Sequence, residues 1–281
     1  MMLAELAIEY RKLFLKSRTY IGPAAMLFII TAMLIGLKYS HQFDYMKETM
    51  GQDFIIAGSI TNAAFLTRYL LEGIFFFFLP LAVCSICGDL VASEAADGTL
   101  RMILCRPVSR LSIFTAKYVT CITSSVGLTL GTGLVAYLAG YIFLGGGSLF
   151  VMPGFKGEGG IRILPEHDAL IRLIAAYSLT AVGMLAIGSI AFMISTFLSN
   201  SNGAIFGAMG ILIASGILGQ IDYFNSLKPY LLTTYLEKWQ QFFGESIDTQ
   251  VLLRSIGAMM IYSVTCFIIG AVIFRRRDVL A

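Results

Sequence analysis

No Gly-Lys dipeptide occurs anywhere in the 281 residues. A P-loop, G-x-x-x-x-G-K-[ST], is therefore excluded, and with it that way of cradling nucleotide phosphates. Histidine is scarce: His41 and His167 lie far apart, and Pro165-Glu166-His167-Asp168 lacks metal-ligand spacing. There is no G-x-S-x-G elbow, and no His or Asp pair in the middle of an apolar run, so intramembrane proteolysis has no candidate residues. Charged residues make up only 13% of the chain and form no basic arm for nucleic acid. The five cysteines, Cys84, Cys87, Cys105, Cys121 and Cys266, fall in apolar runs or in a basic loop. No structural disulfide is expected, and Cys84-Ser-Ile-Cys87, inside an apolar run, reads as inert thiols rather than a redox pair.

What is present in excess is apolar surface. Hydrophobic residues reach 57%, against about 45–50% in a soluble domain, and the mean hydropathy is +0.81. One core cannot absorb that much, so lipid is the expected solvent. The chain has room for about six helices of ~20 residues, and the runs place them at about 20–37, 68–90, 111–144, 169–198, 203–218 and 251–274. The fold class is thus all-α integral membrane, a single transmembrane domain over 1–281 with no internal repeat. Gly145-Gly146-Gly147 ends the third run, Ser199-Asn200-Ser201-Asn202 forms a short turn after the fourth, and 227–243 is either interfacial or re-entrant.

Residues 2–18 do not read as a signal peptide. Leu3, Leu6, Ala7, Tyr10 and Phe14 recur at helical spacing while Glu5, Glu9, Arg11, Lys12, Lys16 and Arg18 fill the remaining positions. That pattern predicts an amphipathic helix lying in the membrane interface. Basic residues concentrate in this segment, in the second-to-third connection (Arg101, Arg106, Arg110, Lys117) and in Arg275, Arg276 and Arg277. The positive-inside rule then puts both chain ends in the cytoplasm. Gly127/Gly131 and Gly203/Gly207 have the small-xxx-small spacing of close helix packing. Arg68 and Glu72, four residues apart, read as an ion pair.

The stretch from Asp89 to Arg110 carries the most specific arrangement. Gly98 permits a sharp backbone break, and Thr99 can cap a new short helix. Leu100, Ile103 and Leu104 share one face of it, Pro107 stops it, and Ser109 can cap the third span with Arg110 at its mouth. The segment, about 94–107, is a short helix bounded by breaks. It either lies on the headgroups or presents Leu100, Ile103 and Leu104 to the groove of a cytosolic partner.

Glu94-x-x-x-Gly98-Thr99-Leu100, then Pro107-Val108-Ser109-Arg110, then Lys117, resembles the signature of ABC-2 type transporter permeases. The basic N-terminal segment, the six-run layout and the Arg-rich tail ending Arg-Arg-Asp278 fit the same family more coarsely. The resemblance implies a plasma-membrane permease, an exporter, that pairs with a second permease and with two copies of a separate cytosolic ABC ATP-binding subunit. The helix between spans two and three would be the coupling helix, with Glu94, Gly98, Thr99, Leu100, Ile103, Leu104, Pro107 and Arg110 forming or bracing the contact. ATP and magnesium would belong to the partner, and this chain would hold no cofactor, no metal and no catalytic residue. Membrane lipid is an expected partner; nucleic acid is not. Two other classes compete: a secondary transporter or channel, which calls for charges near mid-span, and a membrane-embedded assembly factor or enzyme, which calls for a nucleophile or metal cluster.

Overall fold

The computed structural model describes residues 2–39, 61–74, 76–99, 109–151, 162–244 and 247–276. Among these, α1 (Met2–Leu15) is followed by a 3-10 turn, Ser17–Tyr20, that runs into α2 (Ile21–Tyr39). Then come α3 (Ala63–Ile74), α4 (Phe78–Ala96), α5 (Arg110–Leu144), a ribbon of β1 (Leu149–Val151) and β2 (Arg162–Leu164), α6 (Glu166–Phe197) and α7 (Ser201–Gln220). A 3-10 segment (Asp222–Tyr230), α8 (Leu232–Leu236), a further 3-10 segment (Glu237–Phe243) and α9 (Thr249–Arg276) complete the order. Six helices are long and apolar enough to cross a membrane: Ser17–Tyr39, α4, α5, α6, α7 and α9. The all-helical, six-span expectation holds.

Helices α4 and α6 sit at the centre. Within the apolar window of α4, 72% is buried, against 17% for Ser17–Tyr39, which therefore lies on the perimeter. Phe28, Ile142, Phe206 and Ile261 point outward from α2, α5, α7 and α9, a surface that suits lipid and not water. Small residues set the close approaches. A Cβ on Gly133 of α5 would stand 2.6 Å from the Tyr177 ring of α6, and one on Gly140 would stand 2.9 Å from the backbone of Ala63. Gly127 and Gly131, the pair singled out by spacing, have nothing within 4 Å of an added Cβ among the described residues. Gly207 does meet Ile194.

One span differs from the sequence reading. The run at 68–90 is divided into α3 and α4, with Phe77 at non-helical φ −128° and ψ −58°. Pro80 explains the break: it lacks an N–H and its ring collides with the carbonyl of residue 76 in a continuous helix, whereas the first turn of a new helix accommodates it. At the far end of α5, Gly145 adopts φ +83°, and Ala63 N–H donates to its carbonyl at 3.0 Å, so the glycine triplet stops the helix and ties it to α3.

The polar-aromatic segment before α9 lies along the spans rather than over their ends. Leu232, Leu236, Trp239 and Phe243 are buried. Leu236 lies so close to Gly183 in the middle of α6 that a Cβ there would stand 2.4 Å from it.

Candidate functional site

Helix α1 packs on α5, with Leu13 and Glu9 buried and Ile8, Phe14 and Leu15 exposed. Glu5, Glu9, Lys12 and Lys16 recur at spacings of four, three and four, so they form one stripe, and this charged stripe is the face turned to the protein.

The docking partners are charges on the central helices. Lys117, in the second turn of α5, has no exposed side-chain surface. Its ammonium lies 2.8 Å from Glu9 Oε2 and 2.8 Å from Glu94 Oε2, and it donates to the Leu90 carbonyl at 3.0 Å. Lys12 Nζ closes the figure at 3.1 Å from Glu9 Oε1 and 2.9 Å from Glu94 Oε1. Two lysines and two glutamates from three helices thus alternate in a ring. Burial works against the charge on Lys12, but hydrogen bonding and the charge of Glu94, then of Glu9, outweigh it and raise its pKa.

A second node lies one turn away. Asp89 takes Lys16 Nζ at 3.0 Å on Oδ2, and Arg18 Nη1 at 3.4 Å and Ser201 Oγ at 2.7 Å on Oδ1. Lys16 also donates to Ser93 Oγ at 2.6 Å, and Arg18 to Asn202 Oδ1. Ser112 Oγ donates to Glu5 Oε2 at 2.6 Å, and Tyr10 hydrogen-bonds Thr123. Together these contacts clasp α1 to the ends of α4, α5 and α7. A buried ion pair contributes little net stability but is costly to break on one side only, so the clasp fixes geometry more than it adds free energy.

The clasp abuts the segment read as a coupling helix. Helix α4 ends at Ala96, and Gly98 follows at φ +67° with its N–H donating to Ala95 O at 3.4 Å, the left-handed termination that glycine permits. Thr99 Oγ1 reaches back to the Glu94 carbonyl at 3.4 Å. Leu100, Ile103, Leu104 and Pro107 lie outside the described residues. Ser109 caps α5 as expected, accepting from Ser112 N–H at 3.1 Å. Arg110 donates to the Arg275 carbonyl at 3.4 Å, so the last turn of α9 lies at the same end of the bundle as α1.

Of the residues singled out in the sequence, Glu94 and Lys117 are brought into direct contact, Gly98 and Thr99 follow immediately, and Arg110 turns toward α9. Sequence reasoning missed the roles of Glu9, Lys12, Lys16, Asp89 and Ser201. The stripe spacing in α1 was the available signal. Arg68 and Glu72 form no ion pair in the structure; the Arg68 guanidinium lies 5.2 Å from the Phe243 ring centroid instead. Among the described residues, no group of three His, Cys, Asp or Glu side chains could hold a metal.

Residues 20–280 match the family described as "Protein of unknown function (DUF2705)". The chain belongs to the DUF2705 family. The DUF2705 match contains Asp89, Glu94, Lys117 and Ser201, while α1, which supplies Glu9 and Lys12, and Lys16 just after it precede the match. Two relatives come from Bacillus subtilis (strain 168). The uncharacterized protein YhcI is 26% identical over 201 residues, which cover 69% of this chain and 62% of that protein. The uncharacterized membrane protein YdbK is 26% identical over 202 residues, covering 69% of this chain and 75% of that protein. The chain thus spans less than two thirds of YhcI. The name of the second relative agrees with the six apolar helices: this DUF2705 chain is a multi-pass membrane protein.

Proposed function

We propose that this chain is the permease subunit of an ATP-driven exporter of the ABC-2 type, working with a second permease and two copies of a separate cytosolic ATP-binding subunit in the plasma membrane. The observation that carries the reading is the Glu94–Lys117 contact of 2.8 Å. It joins two elements of the resembled motif that lie 23 residues apart (94 to 117) and places them at the root of the 94–110 connection. The missing P-loop supports it from another side, since such a permease leaves nucleotide chemistry to its partner.

In this reading the end bearing α1 and the last turn of α9 is cytoplasmic. ATP binding closes the ATPase pair, which moves the coupling segment 94–107. Glu94 passes that motion through Lys117 to α5 and through Lys12 and Glu9 to α1. The bundle then shifts between two packings because the partner binds one of them better.

Affinity purification of the full chain tests the assignment by whether an ATP-binding subunit encoded beside it copurifies. Leu100→Asp and Gly98→Val should abolish that association while leaving the chain in the membrane. If both variants keep the ATPase and keep transporting, the coupling role is wrong.

A further inference from the structure

The end of the bundle away from the clasp carries three arginines that meet no carboxylate in an ion pair among the described residues. Arg68 on α3, Arg162 on β2 and Arg172 in α6 converge on residues 242–244. Arg162 Nη1 donates to the Gly244 carbonyl at 2.6 Å. Arg172 Nη1 donates to the Phe242 carbonyl at 2.7 Å and to the same Gly244 carbonyl at 3.2 Å. Arg68 stacks over Phe243, and its Nε is buried without a hydrogen-bond partner. Among the described residues none of the three forms an ion pair with a carboxylate; Glu72 acts on Arg68 only through space.

Cations on the last carbonyls of a helical segment are ordinary caps. Capping accounts for one nitrogen each of Arg162 and Arg172. Among the described residues it leaves the Nε and Nη2 donors of both without a hydrogen-bond partner, and it leaves Arg68 out. A guanidinium held by one nitrogen keeps a rigid fork of the remaining N–H groups, the geometry that takes an oxyanion through two parallel bonds.

The position along the bundle narrows the anion. Arg172 stands 25 residues (172 to 197) from the end of α6. That is roughly 38 Å at 1.5 Å per residue, more than the hydrocarbon thickness of ~30 Å. With the far end of α6 at one membrane surface, Arg172 lies at the headgroup level of the other.

We propose that Arg68, Arg162 and Arg172 form a phosphate-binding site at the membrane surface opposite the clasp. The phosphate comes from a lipid headgroup or from solution, and two arms separate these sources. Delipidated full-length protein in detergent is heated with phosphatidylglycerol, with diacylglycerol, which has comparable tails and no phosphate, and with sodium phosphate against sodium chloride at equal ionic strength. Phosphatidylglycerol is expected to raise the unfolding midpoint and diacylglycerol to leave it unchanged; a rise with sodium phosphate as well extends the site to the free ion. R162Q/R172Q should abolish the rise, and R162K/R172K, which keeps the charge but not the fork, should lose most of it. R68Q breaks no hydrogen bond of the native chain and should weaken the rise without unfolding the protein, which keeps the test decisive if the double variants do not fold. No rise in the native chain, an equal rise with diacylglycerol, or an undiminished rise in R68Q overturns the site.

Discussion

At one end of the bundle Glu9, Glu94 and Asp89 each meet two cations, and the fully buried Lys117 meets two carboxylates. At the other end Arg68, Arg162 and Arg172 meet a ring and three backbone contacts, with no carboxylate in an ion pair among the described residues. The first arrangement is closed. Its charges pair with one another and hold three helices in register. The second is open. Its cations are anchored by carbonyls and keep donors free. Charge that is internally balanced serves to fix position, and charge left unbalanced on a rigid support is available for binding.

The comparison is broken most severely at its closed end. Glu94→Ala removes one carboxylate from Lys117 and from Lys12 at once, and should cost about 3–5 kcal/mol because a buried ammonium loses half its compensation. Thermal unfolding in detergent checks this, and the control is Glu94→Met with Lys117→Met. That pair should cost less than Glu94→Ala alone, since no ion is then stranded. A double variant as unstable as the sum of its singles would mean that the two residues do not act as a pair.

Arg172→Gln comes next. It gives up two bonds from a charged donor to backbone carbonyls and should lose about 1.5–3 kcal/mol, a structural loss separate from any response to phosphate. Gly98→Ala follows, at about 1–2 kcal/mol for a Cβ in the left-handed region. Nothing among the described residues lies within 4 Å of a Cβ there, so the expected cost is the backbone strain of the left-handed conformation. An unchanged midpoint for Gly98→Ala would show that the turn relaxes freely.

The smallest effect is expected from pH. The pKa of Lys12 is raised by folding, so its contribution is fully present below the unfolded lysine value of about 10.4 and is lost only as pH rises through the still higher folded value. Hydrogen exchange in α1, corrected for its intrinsic pH dependence, should therefore show constant protection from neutral pH to mildly alkaline pH. Loosening of α1 in that window would contradict a closed ring.

How much of this was legible beforehand differs by element. The apolar runs located six spans because a helix of that length and composition has few other places to go. Gly145-Gly146-Gly147, Gly98 and Ser109 were readable as stops and caps because their chemistry is local. Pro80 carried a legible break that the Phe-rich run around it masked, and α3 and α4 were merged as a result. What was not legible in α1 is which partners its charged stripe meets: Glu9 and Lys12 find Lys117 and Glu94, which are distant in sequence.

The sequence by itself determined a multi-pass helical membrane protein, the breaks after α4 and α5, and the absence of a P-loop, because composition, backbone restriction and the presence of particular side chains are local properties. Only the tertiary structure decided that Glu94 pairs with Lys117, that Gly127 and Gly131 meet no neighbour within 4 Å among the described residues, and that three arginines meet at residues 242–244. Those facts depend on distances between helices. Helix packing, a property of whole faces rather than of single positions, sets such distances.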